Sequence, residues 1–380
     1  MARQPIKEKL RIDLREKYRQ DIFLSYEGKT LPAQQQFCDS NYNIILHFDD
    51  NHVIESYDKG ETWEFYKGYR TWPGNGYEIF RRNDGYLIAI HSGKEFRISI
   101  NNGLTWEPVQ KIPSISDIHY SQIGRWNFCI TTVTECGGIL IAGDYSLGRP
   151  DIDADVICVL SSNDWGMSWK HSRLFSPADP LPKAPEGFAE PVIVDMPNNN
   201  LWMVFRTCYG ELWQCISQDD GLTWGVPTST GLASPISNCF AKRMPDSRAV
   251  VLCWNFVKPG TAIDVRGLGS IYGPRSNLVF AVSQDNCRTW TCPVVVEEKG
   301  GEYPAIHFTE DDMFIMYQSA SDGEYHTWGE RGLTLVRYDR KEVEALPAWT
   351  KETIQPYIDE GLVAGWLVLH CQRSNKEMFD

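Results

Sequence analysis

Ser217-Gln218-Asp219-Asp220-Gly221-Leu222-Thr223-Trp224 is the stretch that decides the fold, because the chain repeats it. Ser162-Asn163-Asp164-Trp165-Gly166-Met167-Ser168-Trp169 follows the same pattern, and so does Ser56-Tyr57-Asp58-Lys59-Gly60-Glu61-Thr62-Trp63. Two looser copies run from Ser99 to Trp106, with Asn101 for the aspartate, and from Ser283 to Trp290, with Cys287 for the glycine. The template S-x-D-x-G-x-T-W therefore occurs five times, at intervals of 43, 63, 55 and 66 residues. Recurrence on this scale marks a repeat architecture. Within the octet, aspartate is suited to bonding backbone N–H groups two residues on, and glycine to a left-handed turn. Threonine and tryptophan then open the returning strand, where the indole covers the sheet edge. A catalytic group is needed once, so an aspartate copied into every repeat builds turns.

The octet resembles the Asp-box of the sialidase superfamily, whose members are β-propellers. Five copies across 380 residues imply that fold for the whole chain. The copies also favour one closed ring over the two or three average domains that length alone would allow. Composition agrees: 42% of residues are hydrophobic, with 14 Trp, 17 Tyr and 16 Phe to fill sheet-on-sheet packing. A net charge of −13 argues against nucleic acid, which needs a basic stripe. An acidic ligand would need positive charge gathered locally against that field. No apolar run is long enough to cross a membrane, and the opening Met1–Lys9 lacks the apolar core of a secretory leader. A cytoplasmic location without a membrane partner is expected, or a secreted one if a leader has been removed. Eleven cysteines, mostly within apolar runs such as those holding Cys158, Cys215 and Cys253, are expected to be buried reduced thiols. There is no C-x-x-C and no His/Cys cluster, so neither a metal nor a cofactor is predicted. The oligomeric state is left open.

Short alternating runs separated by turn residues continue from Asn43, the pattern of a many-stranded antiparallel protein. Aligning the octets puts the second strand of each repeat in register: 86–91, 139–144, 201–206, 250–255 and 313–318, with 43–47 as the first repeat's counterpart. The prediction is an all-β, six-bladed β-propeller of four-stranded antiparallel blades, one domain over residues 1–380. The blades span roughly 38–70, 77–112, 126–175, 188–228, 236–295 and 301–345. Residues 1–37 form a lead-in whose strand, near Asp21–Tyr26, closes the ring against the last blade, and 346–380 form a C-terminal closure. Helical periodicity is confined to 350–361.

With the octets at the bottom between strands three and four, first-strand starts and second-strand ends share the top. The starts carry Glu78, Asn127, Glu190, Asn238 and Tyr303; the ends carry His91, Asp144, Arg206, Asn255 and Gln318. Arg275 begins a third strand there. Any strand that ends in water ends in a polar residue, so none of these marks a site alone. Their convergence on one mouth does.

The sialidase resemblance extends to residues in the second half. Glu190 and Arg206, in Gly187-Phe188-Ala189-Glu190-Pro191 and Phe205-Arg206-Thr207, look like the family's paired glutamate and second carboxylate-binding arginine. Arg275 looks like the third arginine of that triad, and Tyr303, in Gly301-Glu302-Tyr303-Pro304, like the nucleophilic tyrosine. The chemistry is coherent in its own terms. A phenol with an ordinary pKa near 10 needs a base, and Glu190 is the candidate. A neutral nucleophile also avoids the repulsion a carboxylate would meet at an anionic sugar. Two forked guanidinium groups match one carboxylate, each charge-assisted bond contributing about 1.5–3 kcal/mol.

The first half departs from the family. Its Phe/Tyr-Arg-Ile-Pro motif is absent; Tyr77-Glu78-Ile79-Phe80 places a glutamate where the first arginine belongs, and Tyr18-Arg19-Gln20 lacks the remainder of the motif. The loop His91–Phe96 contains no aspartate to act as acid/base. His91, Asp144 and the loop residues Asp151, Asp153 and Asp155 are the alternative proton donors, and Arg149 the alternative first arginine. The implied function is an exo-acting glycoside hydrolase on a terminal carboxylate-bearing sugar. Two alternatives stand beside it: a glycan-binding propeller without catalysis, and a uronate lyase in which His91 and Tyr303 remove a proton alpha to a carboxylate held by Arg206 and Arg275. The run Ser176–Gly187 is read as a surface loop and the insertion 258–274 as an overhang of the mouth. Trp126, Trp254 and Trp328 are candidates for stacking on sugars, with core packing as the default for each.

Overall fold

A computed structural model describes residues 18–22, 25–26, 29–30, 37–40, 43–49, 52–56, 58, 62, 64–65, 77–82, 84–91, 95–101, 103–112, 126–134, 138–146, 155–172, 188–197, 200–207, 210–256, 275, 277–291, 293–298, 301–320 and 331–347. The chain folds as two compact units, one of Met1–Phe23, Met196–Ile216 and Gly225–Asp380, the other of Leu24–Asp195 and Ser217–Trp224.

Small sheets with consecutive strands side by side make up nearly all of the described residues, as expected where each apolar run is bounded by turn residues. β1 (Tyr18–Ile22) is followed by a two-stranded ribbon, β2 (Ser25–Tyr26) and β3 (Lys29–Thr30). The first four-stranded sheet is β4 (Phe37–Ser40), β5 (Asn43–Asp49), β6 (His52–Ser56) and β7 (Glu64–Phe65). The second is β8 (Tyr77–Arg81), β9 (Leu87–His91), β10 (Glu95–Ser99) and β11 (Gln110–Lys111). The third is β12 (Trp126–Val133), β13 (Ile139–Ser146), β14 (Asp155–Ser162) and β15 (Lys170–His171). The fourth is β16 (Phe188–Asp195), β17 (Leu201–Thr207), β18 (Glu211–Ser217) and β19 (Thr228–Ala233). The fifth is β20 (Phe240–Arg243), β21 (Val250–Asn255), β22 (Leu278–Ser283) and β23 (Val294–Glu297).

The last sheet takes its outer strand from the other end of the chain. β24 (Gly301–Phe308), β25 (Asp312–Ala320) and β26 (Arg331–Asp339) are completed by β1, whose Tyr18 pairs with Arg337 and Ile22 with Leu333. The lead-in strand thus lies slightly earlier than Asp21–Tyr26. One short helix, α1 (Arg340–Glu344), follows β26. Asp339 caps it by accepting from the N–H groups of Lys341 and Glu342, which ends the strand and starts the helix within one residue. The helix expected at 350–361 lies outside the described residues.

Each unit has its own core. In the first, Val251, Cys253, Phe280, Val282, Ile315 and Val336 interdigitate between the fifth and last sheets. In the second, Ile88, Ile90, Phe96, Ile139, Ile141 and Leu160 do so between the second and third. Cys158, Cys215, Cys239, Cys253 and Cys287 are free and buried, Cys253 in the first of these cores and Cys158 in the second. Burial pushes the Cys158 thiol up to about 12, and those of Cys215, Cys253 and Cys287 well above their ordinary value. These five are therefore expected to resist an aromatic disulfide reagent at neutral pH and to react on unfolding. Mass mapping of labelled peptides checks this; labelling of any of the five in the native protein would contradict it.

The octets are hairpin turns between third and fourth strands, with hydrogen bonding different from the simplest expectation. Aspartate does not chiefly bond two residues on: Asp219 accepts from the Thr223 N–H at 2.8 Å and the Thr223 hydroxyl at 2.6 Å, both four residues away. The octet's first serine takes the inner N–H, Ser217 Oγ accepting from Gly221 at 2.9 Å. Two successive left-handed residues, Asp220 at φ 57° and Gly221 at φ 82°, turn that N–H toward the serine. The same bonds recur from Ser162 to Ser168 and from Ser283 to Thr289, where Cys287 adopts the glycine's left-handed conformation at φ 61°. Gly166 has a second constraint, since a Cβ there would lie 2.7 Å from the Phe96 ring. The octet indoles cap neighbouring sheets: Trp169 meets Phe96 at 6.1 Å between ring centres, and Trp290 meets Trp202 at 5.8 Å.

Hydrogen bonds from Ser168 hold the Asp164 carboxyl down at about 2, against an ordinary 3.8. At Asp219 burial acts upward, but the bonds from Thr223, Ser217 and Leu222 outweigh it and the pKa is lowered. A depressed folded-state pKa stabilises the fold above the unfolded-state value, and that contribution is lost as pH falls toward about 2. Asn101 makes the equivalent bonds without a charge, from Ser99 at 3.0 Å and from the Thr105 N–H at 2.9 Å. Asp164→Asn should therefore keep the turn and lessen the acid sensitivity between pH 4 and 2, whereas Asp164→Ala should destabilise the protein at neutral pH. Urea melts at both pH values test this; an Asn variant as unstable as the Ala variant would contradict it.

Candidate functional site

First-strand starts and second-strand ends pair at one end of the second, third and last sheets. Tyr77 pairs with His91, Phe128 with Asp144 and Glu302 with Gln318. At that end the first strand is irregular. In β24, Glu302 faces Gln318 and Ala305 faces Met316, so Tyr303 and Pro304 together oppose one residue. This is a bulge, the device that re-aims a side chain out of a strand's alternation. Tyr303 sits in the left-handed region at φ 54° and precedes a proline; Glu190 does the same at φ 51°, before Pro191. The register of β12 shifts at the matching station, between Trp126 and Phe128. A non-glycine residue held left-handed costs about 1–2 kcal/mol, which the surrounding structure must offset.

In the first unit the residues around Tyr303 form one cluster. Arg275 lies just ahead of β22 and is buried. Its Nη1 is bonded to the Glu302 carboxylate, its Nη2 donates to the Ile236 carbonyl at 3.3 Å, and its guanidinium carbon lies 5.6 Å from the centre of the Tyr303 ring. Asn238, also buried, accepts the Tyr303 N–H on its Oδ1 at 3.1 Å. Arg206 ends the buried run Leu201–Phe205 of β17 and is half-buried. Three of the predicted residues, Arg275, Asn238 and Tyr303, are thus brought together. Glu302 was not anticipated, and it changes the electrostatics: the guanidinium charge is already balanced within the protein, so a bound carboxylate would share Arg275 with it.

Asn255 and Gln318 are buried residues of the first unit, and most of the other candidates belong to the second unit or lie outside the described residues. Glu190, on β16, is buried. His91 ends β9, half-buried, with Nδ1 3.9 Å from Glu95 Oε1 across the β9–β10 hairpin. Glu78 lies on β8 opposite Ile90, next to the Tyr77–His91 pair, and Asp144 lies on β13 opposite Phe128. Arg149, Asp151, Asp153, Trp328, the run Ser176–Gly187 and the insertion 258–274 lie outside the described residues. Of the tryptophans, Trp254 is core: it is fully buried and its Nε1 donates to the Ala233 carbonyl at 3.2 Å. Among the described residues no group of three or more His, Cys, Asp or Glu side chains could hold a metal ion, and no helix is long and apolar enough to cross a membrane.

No curated protein sequence matches the chain significantly. Solved structures do resemble it in fold. A Dyadobacter fermentans protein of unknown function aligns with a TM-score of 0.61 at 16% identity, over 86% of this chain and 99% of that one. A Trypanosoma rangeli sialidase mutant displaying trans-sialidase activity aligns at 0.50 and 14% identity, over 92% of this chain and 61% of that one. The Trypanosoma rangeli sialidase in complex with 2,3-difluorosialic acid aligns at 0.50 and 12% identity, over 84% and 58%. The chain therefore spans about three fifths of each of these two enzymes' chains. At such identities the likeness bears on the fold, an all-β β-propeller of small antiparallel sheets. The sequence itself matches the model of the BNR repeat-like domain over residues 88–316, more than half its length. That stretch holds four of the five octets and every site residue of the Tyr303 cluster, and on it the chain belongs to the BNR repeat-like family.

Proposed function

We propose that the protein is a sialidase-like exo-glycoside hydrolase acting on a terminal sugar that carries a carboxylate, either sialic acid or another acidic sugar. The fold reading that goes with this activity is a six-bladed β-propeller of four-stranded antiparallel blades. Tyr303 is the nucleophile and Glu190 its base. The phenol oxygen bonds to the anomeric carbon as the glycosidic C–O bond breaks; the phenol proton passes to Glu190, and the leaving oxygen takes a proton from His91 or Asp144. Water then cleaves the tyrosyl–sugar bond. Arg206 and Arg275 bind the substrate carboxylate, with Glu78, Asn238 and Arg149 completing the mouth. No metal or cofactor enters this chemistry.

The observation that carries the proposal is the strained tyrosine. Tyr303 holds an unfavourable backbone conformation with a buried guanidinium against its ring. Such outliers persist where the surroundings over-determine them, and they cluster at active sites. The test is a panel of aryl glycosides of sialic, other nonulosonic and uronic acids, with neutral sugars as controls. Phenol release from at least one acidic sugar and from no neutral one is expected. An ultraviolet chromophore from an unsaturated uronate would instead favour the lyase, and binding without turnover of any member the glycan binder.

A further inference from the structure

Gly301, Glu302 and Tyr303 are successive residues at the start of β24, and each is held by a different side chain of the fifth sheet or the segments that flank its strands. Asn255 Nδ2 donates to the Gly301 carbonyl at 2.7 Å, Arg275 engages the Glu302 carboxylate, and Asn238 Oδ1 accepts the Tyr303 N–H at 3.1 Å. Ser237 Oγ donates to Asn255 Oδ1 at 2.7 Å and so fixes which way that amide faces. The strand start is also sterically pinned, since a Cβ on Gly301 would stand 2.9 Å from the Tyr317 ring and 3.1 Å from Leu278.

We infer that Asn238 is a positioning residue for Tyr303, holding the left-handed backbone that aims the phenol; the inference rests on Tyr303 being the nucleophile proposed above. The bulge takes the Tyr303 N–H out of the β24–β25 ladder, and Pro304 has no N–H to offer, so this one donor needs an acceptor from outside the sheet. Asn238 supplies it. The side chain is 1% exposed, and its Nδ2 has no hydrogen-bond partner among the described residues. A buried amide using half its capacity weakens a fold relative to an apolar residue of the same size. What the position gains from asparagine is therefore the acceptor. Its target is the residue whose hydroxyl must reach an anomeric carbon, and a misplacement of about 1 Å there costs about a hundredfold in rate.

The experiment uses the full chain labelled with 3-fluorotyrosine, with the Tyr303 fluorine resonance assigned by Tyr303→Phe. Asn238→Leu removes the acceptor while keeping the volume; Asn238→Asp keeps the acceptor. The Leu variant should displace the Tyr303 resonance and lower kcat about a hundredfold with KM within about twofold. The Asp variant should keep the resonance in place and retain kcat to within about tenfold. A Leu variant with an unmoved resonance and wild-type kcat overturns the inference. If the Leu variant does not fold, amide exchange in the wild type decides: the Tyr303 N–H should be protected like the ladder amide of His307, which pairs with Phe314, and exchange at the rate of an exposed loop amide overturns the inference. A wild type that hydrolyses no acidic glycoside refutes the catalytic proposal, and the fluorine and exchange measurements still decide whether Asn238 holds Tyr303.

Discussion

Replacing Glu302 by leucine is expected to lower the unfolding free energy by about 3–5 kcal/mol, far more than loss of a surface pair, which costs about 0–1 kcal/mol. The difference is burial. The Arg275 and Glu302 side chains are 7% and 15% exposed, so removing the carboxylate leaves a guanidinium charge with little water to solvate it. The attraction within the pair does not itself supply that energy, because desolvating both groups opposes it. It follows that the double variant Arg275→Met with Glu302→Leu should recover most of the stability lost in Glu302→Leu. Urea unfolding of the two variants checks this. A loss below about 1 kcal/mol for the single variant would mean that Arg275 is solvated or otherwise compensated.

On the proposed mechanism, Tyr303→Phe should remove turnover by at least about a thousandfold, because it deletes the atom proposed to form the covalent bond, while ligand affinity changes by less than about 1 kcal/mol. The ring contact with Arg275 survives the change, as does the Tyr303 backbone bond to Asn238, so the clamp and strand start keep their places. A Phe variant that turns over at the wild-type rate would move catalysis elsewhere. One that loses binding and turnover together would make the phenol a ligand contact.

The turns and strands could be read from the sequence because their signals are local. An octet contains its own hydrogen-bond partners, and the expected second strands at 139–144, 201–206, 250–255 and 313–318 fall within β13, β17, β21 and β25. The serine of the octet was missed as an acceptor, since two successive left-handed residues are needed to turn the Gly221 N–H toward it. The site was only partly legible. Tyr303, Arg275 and Asn238 stood out as polar residues at one end of apolar strands, but their mutual contacts join residues 65 positions apart, as with Asn238 and Tyr303. Nothing local marks Glu302 as the partner of Arg275. A usable signal was present in the prolines: Glu190-Pro191 and Tyr303-Pro304 each put a proline inside a strand, where it is tolerated at a bulge. Helix α1 escaped notice because five residues carry too little periodicity, although Asp339 ahead of Arg340 is a capping residue.

The most direct test of the central claim is mass mapping of the bond it requires. The protein would be mixed with its fastest aryl glycoside, quenched in acid within one turnover, digested and sequenced by mass spectrometry. A sugar attached to Tyr303 in wild type, and absent from Tyr303→Phe, is the predicted result; rapid hydrolysis with the label on another side chain, or on none, would contradict it.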